Sequence, residues 1–507
     1  MPVSEPNVRQ TMEISLLTGH KIPKAVQNSD RLKAFLFFLI LLFGFCLFYV
    51  VLWVFFGPAG IKERKHLSLF GAIHIEHGKP RTPHVWLLLG AHRNFRDASF
   101  GCYSTNRNGN VRKSIVGIEK LQEASTQCLW TVYRARCDVV DDMTEFAISD
   151  ASQDAELYGI KIPYRIPDRQ RRHVVVCQSR LFLYDKWQML FTILELYRYY
   201  GADLIAVYVE SIISDAYNIL KVYQEKGIIA IHPAVLYDSF GDLDYDPNKE
   251  TEFHQQISAY HMCLYEYRET TDFMIFGDWD EVLIPKHAPN YYEELSNLAN
   301  EFPDAAAFYF QRMQMSFYEP KQAAFFNMEV VLNSTKVSHN YILNKFAVVG
   351  NRVESVRIHV VDWTKPRTRP VTLTTGHAIY LHFREGAKLH CDNEVDDLFP
   401  TLNTTELSQN FTDFIDEEGL YANYINLPSK LVYTDAYRDC YDNLSTTLDH
   451  PEWGICLNHQ ACEQPATVYG ISCTKLNIEY EKVVLRKNTV MSYPKTSGFS
   501  TKWNGCL

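Results

Sequence analysis

The sequence predicts an α/β fold, an open Rossmann-like parallel sheet set behind a single transmembrane helix. Three observations predict it. Strand and helix patterns alternate from Arg172 to Phe276, 23 consecutive residues at 34–56 carry no charge, and the fourth strand of the alternation runs directly into Asp278-Trp279-Asp280-Glu281.

The first strand is Val174-Val175-Val176-Cys177, apolar enough to be buried on both faces, as parallel strands are. Asp185 is placed to cap a helix that carries Trp187, Leu190, Phe191, Leu194 and Tyr197 at 3.6-residue spacing and stops at Gly201. Leu204 to Val209 is the second strand. Ser214 then caps a helix with Ile219, Leu220 and Tyr223 on one face, Gly227 ends it, and Ile228 to Ile231 is the third strand. A helix from Phe253 to Glu269 leads into Phe273-Met274-Ile275-Phe276, the fourth. With right-handed crossovers this order is an open parallel sheet, and ligands bind such sheets at the carboxyl ends of the strands. Beyond Glu281 the pattern is mixed: a strand at Ala305 to Phe310, a polar loop region through Tyr341, a strand-like Ser355 to Val361, and a strand from Ile379 to Arg384.

At about 1.5 Å rise per residue the uncharged stretch is long enough to cross a ~30 Å hydrocarbon layer. It follows a polar tail and ends in aromatics, which reads as a signal anchor rather than a cleaved signal peptide. Charge does not orient it: Lys21, Lys24, Arg31 and Lys33 precede it, and Lys62, Arg64 and Lys65 follow. Cysteines and glycosylation acceptors do. Eleven of the twelve cysteines follow the span, with Cys46 inside it, and all four Asn-x-Ser/Thr acceptors (Asn333, Asn403, Asn410, Asn443) follow it too. Both belong in an oxidising lumen, so the expectation is a single-pass type II membrane protein of the Golgi. Cys440, Cys456, Cys462, Cys473 and Cys506 read as a disulfide-stapled tail, since no Cys-x-x-Cys zinc spacing is present; the odd count leaves one thiol unpaired within the chain. The expected organisation is a cytosolic tail (1–33), the span (34–56), a stem (57–83), a β-rich luminal domain (84–168), an α/β domain (169–428) and a Cys-rich extension (429–507). A net charge of -10 and the absence of Lys/Arg blocks exclude a nucleic-acid surface.

Asp278 and Asp280 stand at the ligand edge. Hard carboxylate oxygens there suit Mn2+ or Mg2+ shared with phosphate oxygens, a Lewis acid for a diphosphate leaving group. Asp280 is the direct ligand in this reading, Asp278 a ligand through water or a ribose contact, and Glu281 an orienting acid. A hydrolase is the wrong reading, because glycosidase carboxylates lie about 5–9.5 Å apart on separate elements.

Several stretches together resemble glycosyltransferase family 92. They are the Trp187-Gln188 helix opening, Glu195-Leu196-Tyr197-Arg198 with Gly201-Ala202, Val209 to Ser214, Cys263 to Glu269, Asp278-Trp279-Asp280-Glu281 with Pro285, and His382-Phe383-Arg384. The resemblance spans roughly Val174 to Arg384. It implies an A-type nucleotide-diphospho-sugar transferase fold, a divalent metal, a UDP-sugar donor (UDP-galactose in the studied branches) and inversion at the anomeric carbon. Family members often carry Asn-Glu where this chain has Tyr184-Asp185, so Asp185 is a candidate for the base or ribose as well as a helix cap. His382 becomes the candidate third metal ligand, with His359 competing, and Arg384 a candidate diphosphate contact. Lys345 and Arg352 are further phosphate candidates. Inversion needs a carboxylate base, for which Glu319, Glu354 and Asp362 are the candidates. The acceptor is expected to be a glycoprotein or glycolipid glycan. The rival reading is a catalytically silent, membrane-anchored lectin-like protein on the same fold, which would have no need of the acidic pair.

Overall fold

The computed structural model describes Gly44 and residues 65–507, apart from 77–81, 96–98, 122–126, 384–398, 446–455, 459–461 and 487. The expected span at 34–56, but for Gly44, and the tail before it lie outside the described residues, as do Arg384, Cys46 and Cys391. Among the described residues no helix is long and apolar enough to cross a membrane. The chain divides into two units, Met1–Glu63 and Arg64–Leu507.

The second unit is a mixed α/β structure. Its first strands are β1 (Lys65–Ile75), β2 (His84–His92), β3 (Ser99–Asn106), β4 (Val111–Gly117), β5 (Trp130–Asp138) and β6 (Met143–Asp150). The alternating region follows as β7 (Arg172–Leu181), α1 (Trp187–Tyr199), β8 (Leu204–Val209), α2 (Ser214–Glu225), β9 (Ile229–Pro233), α3 (Gln256–Tyr267) and β10 (Thr271–Gly277). Next come β11 (Glu281–Ile284), α4 (Tyr291–Glu301), β12 (Ala305–Ser316), β13 (Lys336–Val349) and β14 (Ile379–Phe383). The chain closes with α5 (Thr404–Glu417), α6 (Val432–Ser445), β15 (Cys473–Arg486) and β16 (Thr489–Lys502).

The central sheet runs β9-β8-β7-β10-β13-β12-β14-β11. Its first four strands are parallel, as the alternation predicts. β8, Leu-Ile-Ala-Val-Tyr-Val, is buried at every position, which a parallel strand covered on both faces requires. Gly201 and Gly227 follow α1 and α2 with φ of 76° and 74°, the left-handed conformation that glycine adopts without strain. Past β10 the sheet turns antiparallel through β13 and β12, then β14 lies parallel to β12 and antiparallel to β11. That mixed half wraps His382 and Glu281 toward the end of β10.

Three expectations change. The stem at 57–83 is crossed by β1, whose His66 to Ile75 stretch is largely buried and pairs with β2 on one side and β16 on the other. The Cys-rich extension folds back on the chain, where β15 and β16 join β1, β2 and β5 in one seven-stranded sheet that also takes in Ser211–Ile213. Its partners lie hundreds of residues away, so local pattern cannot disclose them. The polar stretch before Tyr341 holds a helix, Met328–Asn333, and the start of β13 rather than a loop. Ser214 is the first residue of α2, not its cap, and its hydroxyl accepts from Thr474 Oγ1 at 3.2 Å.

Every cysteine among the described residues is in a disulfide: Cys102–Cys137, Cys128–Cys456, Cys177–Cys263, Cys440–Cys462 and Cys473–Cys506. Asn333, Asn403 and Asn410 are exposed.

Candidate active site

β10 ends at Gly277, and the next four residues turn back into β11. The turn closes with the Glu281 amide donating to the Asp278 carbonyl at 2.9 Å. Glu281 lies opposite His382 across the antiparallel β11–β14 pair, so their side chains share one face of the sheet. Asp280, in the turn, accepts from His382 Nε2 at 3.1 Å, and its carbonyl accepts from the Phe383 amide at 2.8 Å. Sheet register therefore brings together two residues about a hundred positions apart.

Asp280, Glu281 and His382 each offer a ligand atom, all within 4.8 Å of one another. Two carboxylates and an imidazole suit Mn2+, which accepts oxygen and nitrogen donors. The three differ in availability. Asp280 has 43% of its side chain exposed, whereas Glu281 is wholly buried and spends its oxygens on Arg312 Nη1 and, at 3.1 Å, on Lys345 Nζ. His382 is 5% exposed, and its Nδ1 is buried with no hydrogen-bond partner. Of the three, Asp280 and His382 are the two not committed to basic side chains, and Glu281 also accepts from the Asp278 amide at 3.2 Å within the turn.

Asp278 stands outside that group. Its Oδ1 accepts from Gln256 Nε2 and from the Tyr260 hydroxyl at 3.0 Å, and its Oδ2 accepts from Lys345 Nζ at 2.9 Å. Lys345, on β13, is fully buried between two carboxylates and so binds protein acids rather than standing open to a phosphate. Burial lowers its pKa, but Asp278 and Glu281 outweigh that and the net shift is upward. Burial likewise raises Asp280 and Glu281; His382 outweighs it for Asp280, and Lys345, His382 and Arg312 outweigh it for Glu281, so both are held below the usual carboxylate range. The Tyr260 hydroxyl is driven well above its ordinary value by burial and then by Asp278.

α3 does not begin at Phe253. Phe253, His254 and Gln255 take φ of 44°, 52° and 58°, and the helix starts only at Gln256, the residue that reaches Asp278. Each left-handed non-glycine residue costs roughly 1–3 kcal/mol and persists only where the surroundings hold it. His254 Nε2 is held on Glu210 at 2.5 Å, and Glu210 on Arg180 at 3.0 Å, at the carboxyl ends of β8 and β7.

The other candidates separate by position. Asp185 is fully buried, and it caps a different helix from the one expected: Tyr433 and Thr434 at the start of α6 donate their amides to its two oxygens at 2.8 and 3.1 Å, while α1 has no side-chain cap. Its carboxylate is thereby spent within the protein rather than offered to a base or ribose. Burial pushes it up to about 6. Glu319 is 9% exposed and, with Asp280 and Asp185, forms the negative surroundings that, after burial, drive the Tyr184 hydroxyl well above its usual range. Glu354 instead lies beside Arg134, which donates to its carbonyl at 2.9 Å, and Asp362 pairs with Arg357 at 2.9 Å. Arg352 donates to the carbonyls of Pro303 and Ala305 at the start of β12. His359 sits behind the cluster with Nδ1 on the Asn344 carbonyl at 3.1 Å, lowered to about 4 by burial, Lys345 and Arg312. A hollow of about 400 Å³ lined by Glu195, Arg198, Tyr199 and Thr401 lies at the far end of α1, away from these acids.

Arg312, Gln256 and Tyr260 were not foreseen. The available signal was a lone charge inside an apolar strand: Arg312 interrupts β12 and Lys345 interrupts β13, and such charges need buried partners.

The glycosyltransferase family 92 model matches residues 172–423. One Caenorhabditis elegans protein described as a glycosyltransferase family 92 protein is 26% identical over 399 residues, covering 75% of this chain and 76% of its own length. A second from the same worm, so described, is 26% identical over 329 residues, covering 62% of this chain and 64% of its own. Among solved structures, the UDP complex of S. aureus TarS 1–349 aligns with a TM-score of 0.25 and 9% identity over 53% of this chain and 82% of that one. A UDP-glucose pyrophosphorylase complexed with UDP-glucose aligns with a TM-score of 0.17 and 10% identity over 48% and 99%. At these scores neither structure bears on the fold or the ligand of this chain.

Proposed function

This chain belongs to glycosyltransferase family 92, and from that premise we propose that it transfers galactose from UDP-galactose to a hydroxyl of a glycoprotein or glycolipid glycan, with inversion. The observation that carries the reading is the Asp280–His382 pair, set at the carboxyl edge of a four-stranded parallel sheet where an A-type nucleotide-sugar transferase presents its site.

Asp280 and His382 would hold Mn2+ or Mg2+. When bound, the cation offsets negative charge on the departing diphosphate. Glu281 keeps the turn in place through Arg312 and Lys345, and Asp278, held by three donors, has a fixed direction toward the ligand edge. Glu319 serves as the base. It takes the proton of the acceptor hydroxyl as that oxygen attacks the anomeric carbon from the face opposite UDP, the bond from that carbon to the UDP oxygen breaks, and its electron pair leaves with UDP. Support for Glu319 over Glu354 and Asp362 is that it acts on the Tyr184 hydroxyl together with Asp280, which neither of the others does.

Five disulfides and three exposed acceptor asparagines support a luminal catalytic unit, anchored through residues 34–56 as a type II protein of the Golgi. The test is a screen of the protein against several UDP-sugars, with and without Mn2+. UDP-galactose turnover that EDTA abolishes and Mn2+ restores is expected. Metal-independent transfer would overturn the mechanism, and no turnover with any nucleotide sugar would return the lectin-like reading.

A further inference from the structure

The left-handed turn at Phe253–Gln255 joins α3 to the segment before it, and α3 supplies two of the three donors on Asp278. Within reach of the turn, His254 meets Glu210 at 2.5 Å and the Gln255 carbonyl accepts from Ser258 Oγ at 2.8 Å. Further supports come from far along the chain. The Phe253 backbone amide donates to the Leu457 carbonyl at 2.9 Å, and the Asn458 side-chain Nδ2 donates to the carbonyls of Asn248 and Thr251 at 2.7 and 2.6 Å. Asn458 is 2% exposed and Leu457 1%, so these bonds are shielded from competing water. The segment that makes them is tied in turn to Cys128 through Cys456, and Cys128 lies two residues before β5, where Trp130 bridges to Thr251.

We propose that Cys456-Leu457-Asn458 is a positioning strap for the acidic site: clamped to residue 128 by its disulfide, it fixes the turn that sets His254 on Glu210 and Gln256 and Tyr260 on Asp278. The inference deepens the transferase reading and rests on it for its functional half. The three residues touch no reacting atom; they act through the turn. Asn458 suits the task because its amide supplies both N–H donors to two carbonyls of one loop, an arrangement that aspartate, of the same shape, cannot reproduce.

The test compares the full-length protein with Asn458→Asp and Asn458→Ala, both of which leave the disulfide in place. Hydrogen exchange should speed up roughly tenfold or more at amides 251–260 in both variants, since about 1 kcal/mol per lost hydrogen bond is about a fivefold to tenfold change in opening. Exchange in β12 and β13 should stay at the wild-type rate. Calorimetric titration with Mn2+ and UDP should give a weaker UDP affinity, and the KM for UDP-galactose should rise while kcat changes little. Uniform acceleration across the chain would show Asn458 to be a general stabiliser and overturn the proposal. So would local acceleration with unaltered UDP affinity and KM. A wild type that neither binds UDP nor turns over a UDP-sugar would refute the transferase reading and not the strap's hold on the turn, which the exchange measurement decides alone.

Discussion

Replacing Lys345 with methionine tests how the acidic cluster is held together. Lys345 is fully buried, 2.9 Å from Asp278 and 3.1 Å from a Glu281 that is itself fully buried. Methionine fills similar space and removes the charge together with the N–H donors that meet Asp278 and the Tyr260 hydroxyl. Breaking a buried ion pair costs about 3–5 kcal/mol, chiefly because the surviving charge is left in a medium that cannot solvate it. Arg312 still meets Glu281, and Asp278 is a quarter exposed, which places the expected loss at the lower end, about 3 kcal/mol. The sign of its pH dependence follows. In the wild type the Glu281 pKa is depressed, so its stabilising contribution is present above its unfolded value and is lost as pH falls through the folded one. Without Lys345, burial, the largest influence on Glu281, has less against it, and protonation relieves the variant. Urea unfolding of both proteins at pH 7 and near pH 4 measures the gap, which should narrow in acid. A variant as stable as wild type at pH 7, or a gap that widens on acidification, would refute the argument that Lys345 compensates buried carboxylates.

Asp280→Ala should abolish Mn2+ binding in calorimetric titration and lower turnover by at least roughly 100-fold, while thermal unfolding shifts little because the side chain is half exposed. Glu319→Gln should lower kcat roughly 10²–10⁴-fold with an unchanged donor KM, and Glu354→Gln and Asp362→Asn should leave steady-state rates near wild type. Asp185 is raised from its ordinary 3.8 to about 6, so the folded state holds its proton more tightly and ionisation costs stability that returns as pH falls from about 7 toward 4. The stability difference between wild type and Asp185→Asn, followed by urea unfolding across that range, should grow in favour of the wild type by up to about 3 kcal/mol.

The parallel half of the central sheet was legible because each of its elements carries its own signal. The all-apolar Leu204 to Val209 and the glycines at 201 and 227 announce strand and helix ends without reference to anything distant. The same holds for Asp278 to Glu281, which follow a buried strand directly. His382 was recognisable from its motif, but its contact with Asp280 depends on the β11–β14 register, a long-range fact. Lys345 and Arg312 were harder still: each looks like a surface charge until β12 and β13 are folded onto β10 and bury it. β1 misled for the opposite reason. Its apolar run follows charged residues that suit a stem, and nothing local shows that its neighbour is β16.

That neighbour has a consequence for how the protein is made. The Ser68 and Ser492 hydroxyls meet at 3.3 Å although 424 residues separate them. Closing a loop of that length costs about 5 kcal/mol of chain entropy beyond the short-loop constant. It can be met only by contacts formed after nearly the whole polypeptide has left the ribosome. Until then β1 and β2 wait with an open edge, and Cys128 waits for Cys456. A message cut short before Cys473 therefore yields a chain missing the strand that would cover β1, not a transferase lacking a dispensable tail.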